Sequence, residues 1–279
     1  MSTLQTIVRK ARGSSHGPIT RLISPQDALG EMLKPFVFLD FFDAHIEPGF
    51  GFGMHPHSGI ATLTWQPDTD VQYEDTTGQA GVLKAGGLEW MNAGGGAWHQ
   101  GHLLGSGRTT GFQLWVAMPP EVENGPSFGQ YVPPSEVALF EVPNGQVKVL
   151  LGSVTAPTGA LVHSPINTHQ DMNYLIVELA AGASWHYTPP ATHDVAWAFV
   201  FDGQALVQGE RSHKELLVLS GQGEVSLQAE QEPSRIVLGS AKRHPHALVL
   251  GPSSVHTSTA ALQQGRDTIQ EIGARLQVR

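Results

Sequence analysis

His55 and His57 stand one residue apart in the run Gly51-Phe-Gly-Met-His-Pro-His-Ser-Gly59. Side chains alternate along a strand, so an H-x-H pair sends both imidazoles to the same side. His99 and His102 follow in the run Ala93-Gly-Gly-Gly-Ala-Trp-His-Gln-Gly-His102. Neutral imidazole is a good ligand for iron, copper, nickel and zinc. A third histidine from another strand would complete one face of a mononuclear transition-metal site and leave positions open for a substrate. The alternative is a metal-free pocket whose imidazoles bond to one another and to water.

Other residues are candidates for supporting roles. His102, three residues beyond His99, faces the opposite side of a straight strand. A bulge at Gly101 would be needed to bring it in as a fourth ligand. Gln100 and Gln113 are candidates for contacts behind the ligands. Glu74 and Glu89 are the nearest carboxylates, each a weak candidate for a base whose raised pKa lets it take a substrate proton. Trp65, Trp90, Trp98 and Trp115 are candidates for pocket walls, with core packing expected for at least two. His244-Pro245-His246 is a second H-x-H, but it follows Lys242 and Arg243 and reads as a surface segment. His193 and His256 read as isolated. The run Gly94-Gly95-Gly96 is not a phosphate loop, because no Lys-Ser/Thr follows it.

The elements that must carry these residues read as strands. Phe36 to Phe42, Ile60 to Gln66, Leu88 to Ala93 and Gly111 to Ala117 are apolar or alternating runs bounded by turn residues. Met118 to Val142 holds five prolines and reads as a linker or wrapping loop. A second set of strand-like runs follows, with a hairpin expected about Asp202-Gly203. Ala260 to Leu276 has helical spacing of Leu262, Ile269, Ile272 and Leu276. Glycine and proline make up 51 of 279 residues and charged residues only 15%, which suits short strands and tight turns. Two β modules are therefore expected, residues 1–142 with the histidines and 143–279 with the terminal helix.

The net charge of -9 offers no basic stripe for nucleic acid. The absence of cysteine excludes disulfides, thiolate ligands and cysteine catalysis. No apolar run reaches the roughly 18 residues of a membrane span, and the first residues carry no apolar leader segment. A soluble cytoplasmic protein is expected, without direct nucleic-acid or membrane partners and with its oligomeric state open.

Four blocks together resemble one family. They are Pro35-Phe-Val-Phe-Leu-Asp-Phe-Phe-Asp43, His55-Pro-His-Ser-Gly-Ile60, Gly86-Gly-Leu-Glu-Trp-Met-Asn-Ala-Gly-Gly-Gly-Ala-Trp-His99 and Gly111-Phe-Gln-Leu-Trp-Val116. In order and spacing they are similar to the pirin family of bicupins. The resemblance implies an all-β double cupin, two antiparallel β-barrels with a short C-terminal helix. It implies a metal in the N-terminal barrel, most often iron as Fe(II), with nickel, copper or zinc as other choices. The family's three histidine ligands fall on His55, His57 and His99. Its glutamate ligand falls on Gly101, so that carboxylate is missing here. Several bacterial members act as quercetin 2,3-dioxygenases, which implies a small aromatic substrate, a flavonol or related aromatic enol. Eukaryotic members are nuclear co-regulators, which implies the other reading: a non-catalytic metal-binding regulatory or interaction protein with a protein partner.

Overall fold

The computed structural model describes residues 4–277. Strands dominate, and one long helix, Thr259–Leu276, closes the described chain. The helix starts where Ser258 Oγ accepts the amide of Ala261 and ends with Arg275 in its last turn, both favourable to the helix dipole and its free backbone groups. No helix among the described residues is long and apolar enough to cross a membrane.

The chain divides into two compact units, each assembled from discontinuous segments: 1–13 with 137–243, and 14–136 with 244–279. This corrects the division after residue 142. The terminal helix belongs with the histidine-bearing unit, not with the second module. It docks there through Trp98, whose indole Nε1 donates to the carbonyl of Ile269 at 3.0 Å, and through Gly273, which lies against the Trp98 ring. The first strand, Ile7–Ala11, belongs to the other unit, where it pairs antiparallel with Leu216–Leu219.

The histidine-bearing unit is built on two main sheets. One has seven strands, among them Ile19–Ile23, Phe36–Ile46, Ile60–Trp65, Leu88–Asn92 and Gly107–Ala117. The other has four: Gly51–His57, Ala97–Leu103, Val71–Asp75 and Ala80–Leu83. Their inner faces meet, since the His57 and Trp115 rings lie 4.9 Å apart and Tyr131 donates to Asp75 at 2.8 Å. The second unit repeats the plan with seven and four strands around an apolar core that includes Val147, Leu175, Phe140 and Leu227.

Two further expectations are corrected. The proline-rich stretch 118–142 is not only a loop. It contains the strand Phe128–Val132, paired with Leu88–Asn92, and the strand Ala138–Val142, paired with Gly145–Leu151. Its prolines punctuate the strands rather than prevent them. The expected hairpin about Asp202-Gly203 is absent: Val195–Asp202 and Ala205–Val207 lie in different sheets. The chain turns there from one sheet to the other, which period-two alternation alone does not reveal.

Candidate metal centre

Three histidines converge on the inner face of the four-stranded sheet. His55 and His99 are direct cross-strand partners. His57 follows two residues along its strand, on the same face. The ring centroids lie 4.5 Å apart for His55 and His99, 5.0 Å for His55 and His57, and 5.2 Å for His57 and His99. One ligand-capable nitrogen of each lies within 4.8 Å of the others. Among the described residues, no other set of three such side chains converges in this way.

Each ring is fixed from behind. His55 Nδ1 donates to the carbonyl of Gly53 at 2.8 Å, and His57 Nδ1 to the carbonyl of Ser253 at 3.0 Å. His99 Nδ1 donates to Glu89 Oε1 at 2.8 Å. All three Nδ1 atoms are thus engaged, and the Nε2 atoms are left for whatever lies between the rings. His99 Nε2 is buried with no partner. A buried nitrogen lone pair without a hydrogen bond is costly, and a metal ion is an occupant that fits this one together with the converging nitrogens of His55 and His57. Burial, the first cause, and the neighbouring histidines hold His57 well below its ordinary pKa of 6.5; His55 is also lowered, chiefly by burial. Both rings are therefore neutral at neutral pH, the form in which they ligate.

The remaining sequence candidates fall into place around this cluster. His102 does not join it. Along Ala97–Leu103, His99, Gly101 and Leu103 line the cavity, so alternation turns Gln100 and His102 to the other face. An irregularity does occur beside His99, but the pairing of 99–103 with 71–75 runs unbroken. The extra residue lies in the facing strand, Gly51–His57, and His102 is not redirected. Gln100 donates to exposed Glu74, so neither reaches the site. Glu74 is thereby excluded as a neighbouring base. Glu89 is buried and sits behind His99, a contact between facing sheets that local sequence does not signal. Gly101 lines the cavity, and a Cβ built there would meet only Val71 Cγ1 at 3.5 Å.

Of the four tryptophans only Trp115 faces the cavity, stacked on Phe38 at 4.0 Å. Trp65 and Trp90 are core residues, and Trp98 anchors the helix. His244 is buried rather than superficial; loss of water lowers its pKa to about 4. His193 and His256 are not isolated either. His193 is buried in the second unit between Ser240 Oγ and Asp171, at 2.8 and 3.0 Å. His256 Nε2 lies 2.9 Å from Ser58 Oγ, and its Nδ1 lies 3.4 Å from Glu123. Glu123 in turn takes the amide and hydroxyl of Thr257. This buried group fastens the segment that carries Ser253, and thus the carbonyl that orients His57.

The histidines close one end of a cavity of about 240 Å³. Phe38, Phe42 and Trp115 form aromatic walls, and the exposed rings of Phe50 and Phe52 flank its mouth. The arrangement suits a flat, largely apolar ligand with a polar group at the histidine end.

The sequence pattern of the Pirin family matches residues 19–116. A Pseudomonas aeruginosa protein called "Putative quercetin 2,3-dioxygenase PA3240" is 30% identical over 245 residues, covering 85% of this chain and 86% of its own length. A "Pirin-like protein" of Caulobacter vibrioides is 31% identical over 217 residues, covering 74% of this chain and 73% of its own length. Among solved structures, a quercetin 2,3-dioxygenase from Acinetobacter baumannii superposes with a TM-score of 0.85. It is 22% identical and covers 95% of this chain and 96% of its own length. The bacterial pirin YhhW of Escherichia coli, in complex with nickel(II), gives a TM-score of 0.62. It is 21% identical, covering 88% of this chain and all of its own length. The double-cupin fold expected from the sequence is the fold of these neighbours.

Proposed function

Since the chain belongs to the pirin family, we propose that it is a metal-dependent dioxygenase of the quercetinase type, acting on a flavonol or a related aromatic enol. The observation that carries this reading is the unpartnered His99 Nε2, facing His55 and His57 at the end of an aromatic-walled cavity. His55, His57 and His99 would hold a divalent metal, with Fe(II) the choice best matched to oxygen chemistry and nickel, copper or zinc also matched to imidazole. When bound, such an ion supplies Lewis-acid and redox chemistry at an open coordination position.

The chain's own residues do the rest. Glu89 holds the Nδ1 proton of His99, fixes the tautomer and places a negative charge one ring away from the centre. This replaces, from behind, the charge that a carboxylate at position 101 would supply directly. Phe38 and Trp115 orient a flat ring system and exclude water. Asp40 is the carboxylate in the cavity wall, and Arg21 engages it in two hydrogen bonds. With no carboxylate beside the histidines, the site favours an acidic enol over a simple phenol.

Gly101 also favours a second reading, a metal-binding regulatory or interaction protein without turnover, because the ligand set lacks its carboxylate. The chain's composition, free of cysteine, accords with a cytoplasmic location for either. Elemental analysis of purified wild type and His99→Ala tests the metal. Oxygen uptake together with loss of flavonol absorbance tests turnover. We expect metal in wild type, little in His99→Ala, and oxygen uptake with a flavonol. Bound metal with no oxygen uptake would overturn the enzyme and leave the regulatory protein.

A further inference from the structure

The inner face of the seven-stranded sheet carries a polar row across an apolar interior. Arg21 pairs with Asp40, Asp40 with Gln113, Gln113 with Thr64, and Thr64 with Glu89, each in direct cross-strand register. Residues so opposed share one face of the sheet. The first four line the cavity, and the fifth holds His99. Trp115, beside His57, is two residues from Gln113 along the same strand, so the backbone positions of Gln113 and Trp115 lie about 7 Å apart on that face.

Two side chains at or next to this row each keep one buried polar atom without a partner. Thr64 Oγ1 donates to Gln113 Oε1 at 2.9 Å, and the Gln113 Nε2 is buried without a partner. Gln66 Oε1 is also buried without a partner and lines the same cavity. It folds across Gly111, where a Cβ would sit 2.1 Å from that oxygen. Glycine at 111 is therefore what lets the Gln66 amide lie over the strand, one side-chain position beyond Gln113. Native folds leave few buried polar atoms unsatisfied. Here a donor and an acceptor without partners belong to two residues that line one wall of the cavity.

We propose that Gln113 and Gln66 read a second hydroxyl group of the ligand, and so determine specificity for a polyhydroxylated aromatic over one bearing only the group that meets the histidines. A hydroxyl has both the acceptor that an amide N–H needs and the donor that an amide oxygen needs. A ketone satisfies only the first, a carboxylate is repelled by the second, and a bare ring leaves both unpaired. The inference rests on the reading of this cavity as a flavonol site.

The test is binding by the nickel(II)-loaded protein with oxygen excluded, using 3-hydroxyflavone and quercetin as probes. Both carry the 3-hydroxy-4-keto group, but only quercetin carries further hydroxyls. Wild type should prefer quercetin by about tenfold, the factor that one well-made hydrogen bond carries. In Gln113→Leu and in Gln66→Leu that preference should fall towards unity, while 3-hydroxyflavone keeps its affinity and reports an intact cavity. A wild-type preference near unity, or one that survives both substitutions, overturns the proposal while leaving the flavonol site standing. Failure of wild type to bind either probe overturns the flavonol reading and this inference with it. If one variant does not fold, the wild-type ratio and the other variant still decide.

Discussion

His99 keeps its carboxylate partner behind the ring, where Glu89 accepts its Nδ1 proton, rather than beside it at position 101. Removing a hydrogen-bonded partner of this kind commonly lowers metal affinity about 10- to 100-fold. Glu89→Gln keeps an acceptor but removes the charge, so it should lie at the lower end of that range and Glu89→Leu at the upper. Equilibrium dialysis with nickel(II) or zinc(II) measures both, and equal affinities in all three proteins would sink the role given to Glu89. Gly101→Glu should raise affinity in the same assay, because its Cβ has room and its carboxylate enters the cavity. The histidines themselves were legible: period two in H-x-H puts two rings on one face whatever the fold. Glu89 was visible only as a nearby acid, because its contact with His99 joins two facing sheets. His102 misled because three residues of spacing bring a side chain inward only if its own strand bulges, and the irregularity fell on the neighbour.

Among the elements, the C-terminal segment shapes the site as much as the histidine strands do. Ser253 holds a left-handed backbone, φ 56°, and aims its carbonyl at His57. The helix that follows packs so closely that a Cβ at Gly265 would lie 2.5 Å from Ser58 Oγ and 2.7 Å from His256 Nε2. Replacing glycine by alanine inside a helix ordinarily stabilises by about 1 kcal/mol. Gly265→Ala should do the reverse and destabilise by about 1–3 kcal/mol through overpacking, read as a lower denaturation midpoint. An unchanged or higher midpoint would show that helix and segment are less tightly joined. His256→Ala should destabilise by about 2–4 kcal/mol, since it opens a cavity and strips Ser58 and Glu123 of a buried neighbour. It should also weaken metal binding at a distance, through Ser253. The helix was legible from its periodicity, and most strands from their apolar runs. Its partner was not, because amphipathic spacing states that a face is buried without stating against what.

For the molecule as a whole, buried neutral histidines set an acid limit. His57 is held well below 6.5 and His244 at about 4, both chiefly by loss of water. In the unfolded chain each takes up a proton near pH 6.5, so below that value the unfolded state binds protons that the folded state refuses. Their contribution to stability is therefore fully present above pH 6.5 and is lost as pH falls towards the folded-state values. The metal-free protein should melt at a nearly constant temperature from pH 8 to 7 and at progressively lower temperatures from about pH 6.5 to 4.5. A calorimetric series checks this, and a flat profile through that window would contradict it. The composition made the all-β class legible. The interleaving of the two units was not, since alternation along strands is silent about which unit each strand completes. That interleaving has a consequence for the order of events at the ribosome. Residue 253, which steadies His57, is made about 150 residues after residue 99, roughly 8–30 s later at usual elongation rates. A nascent chain that has already exposed all three imidazoles still lacks one of their supports, so the centre reaches its full affinity for metal only after residue 253 has been made.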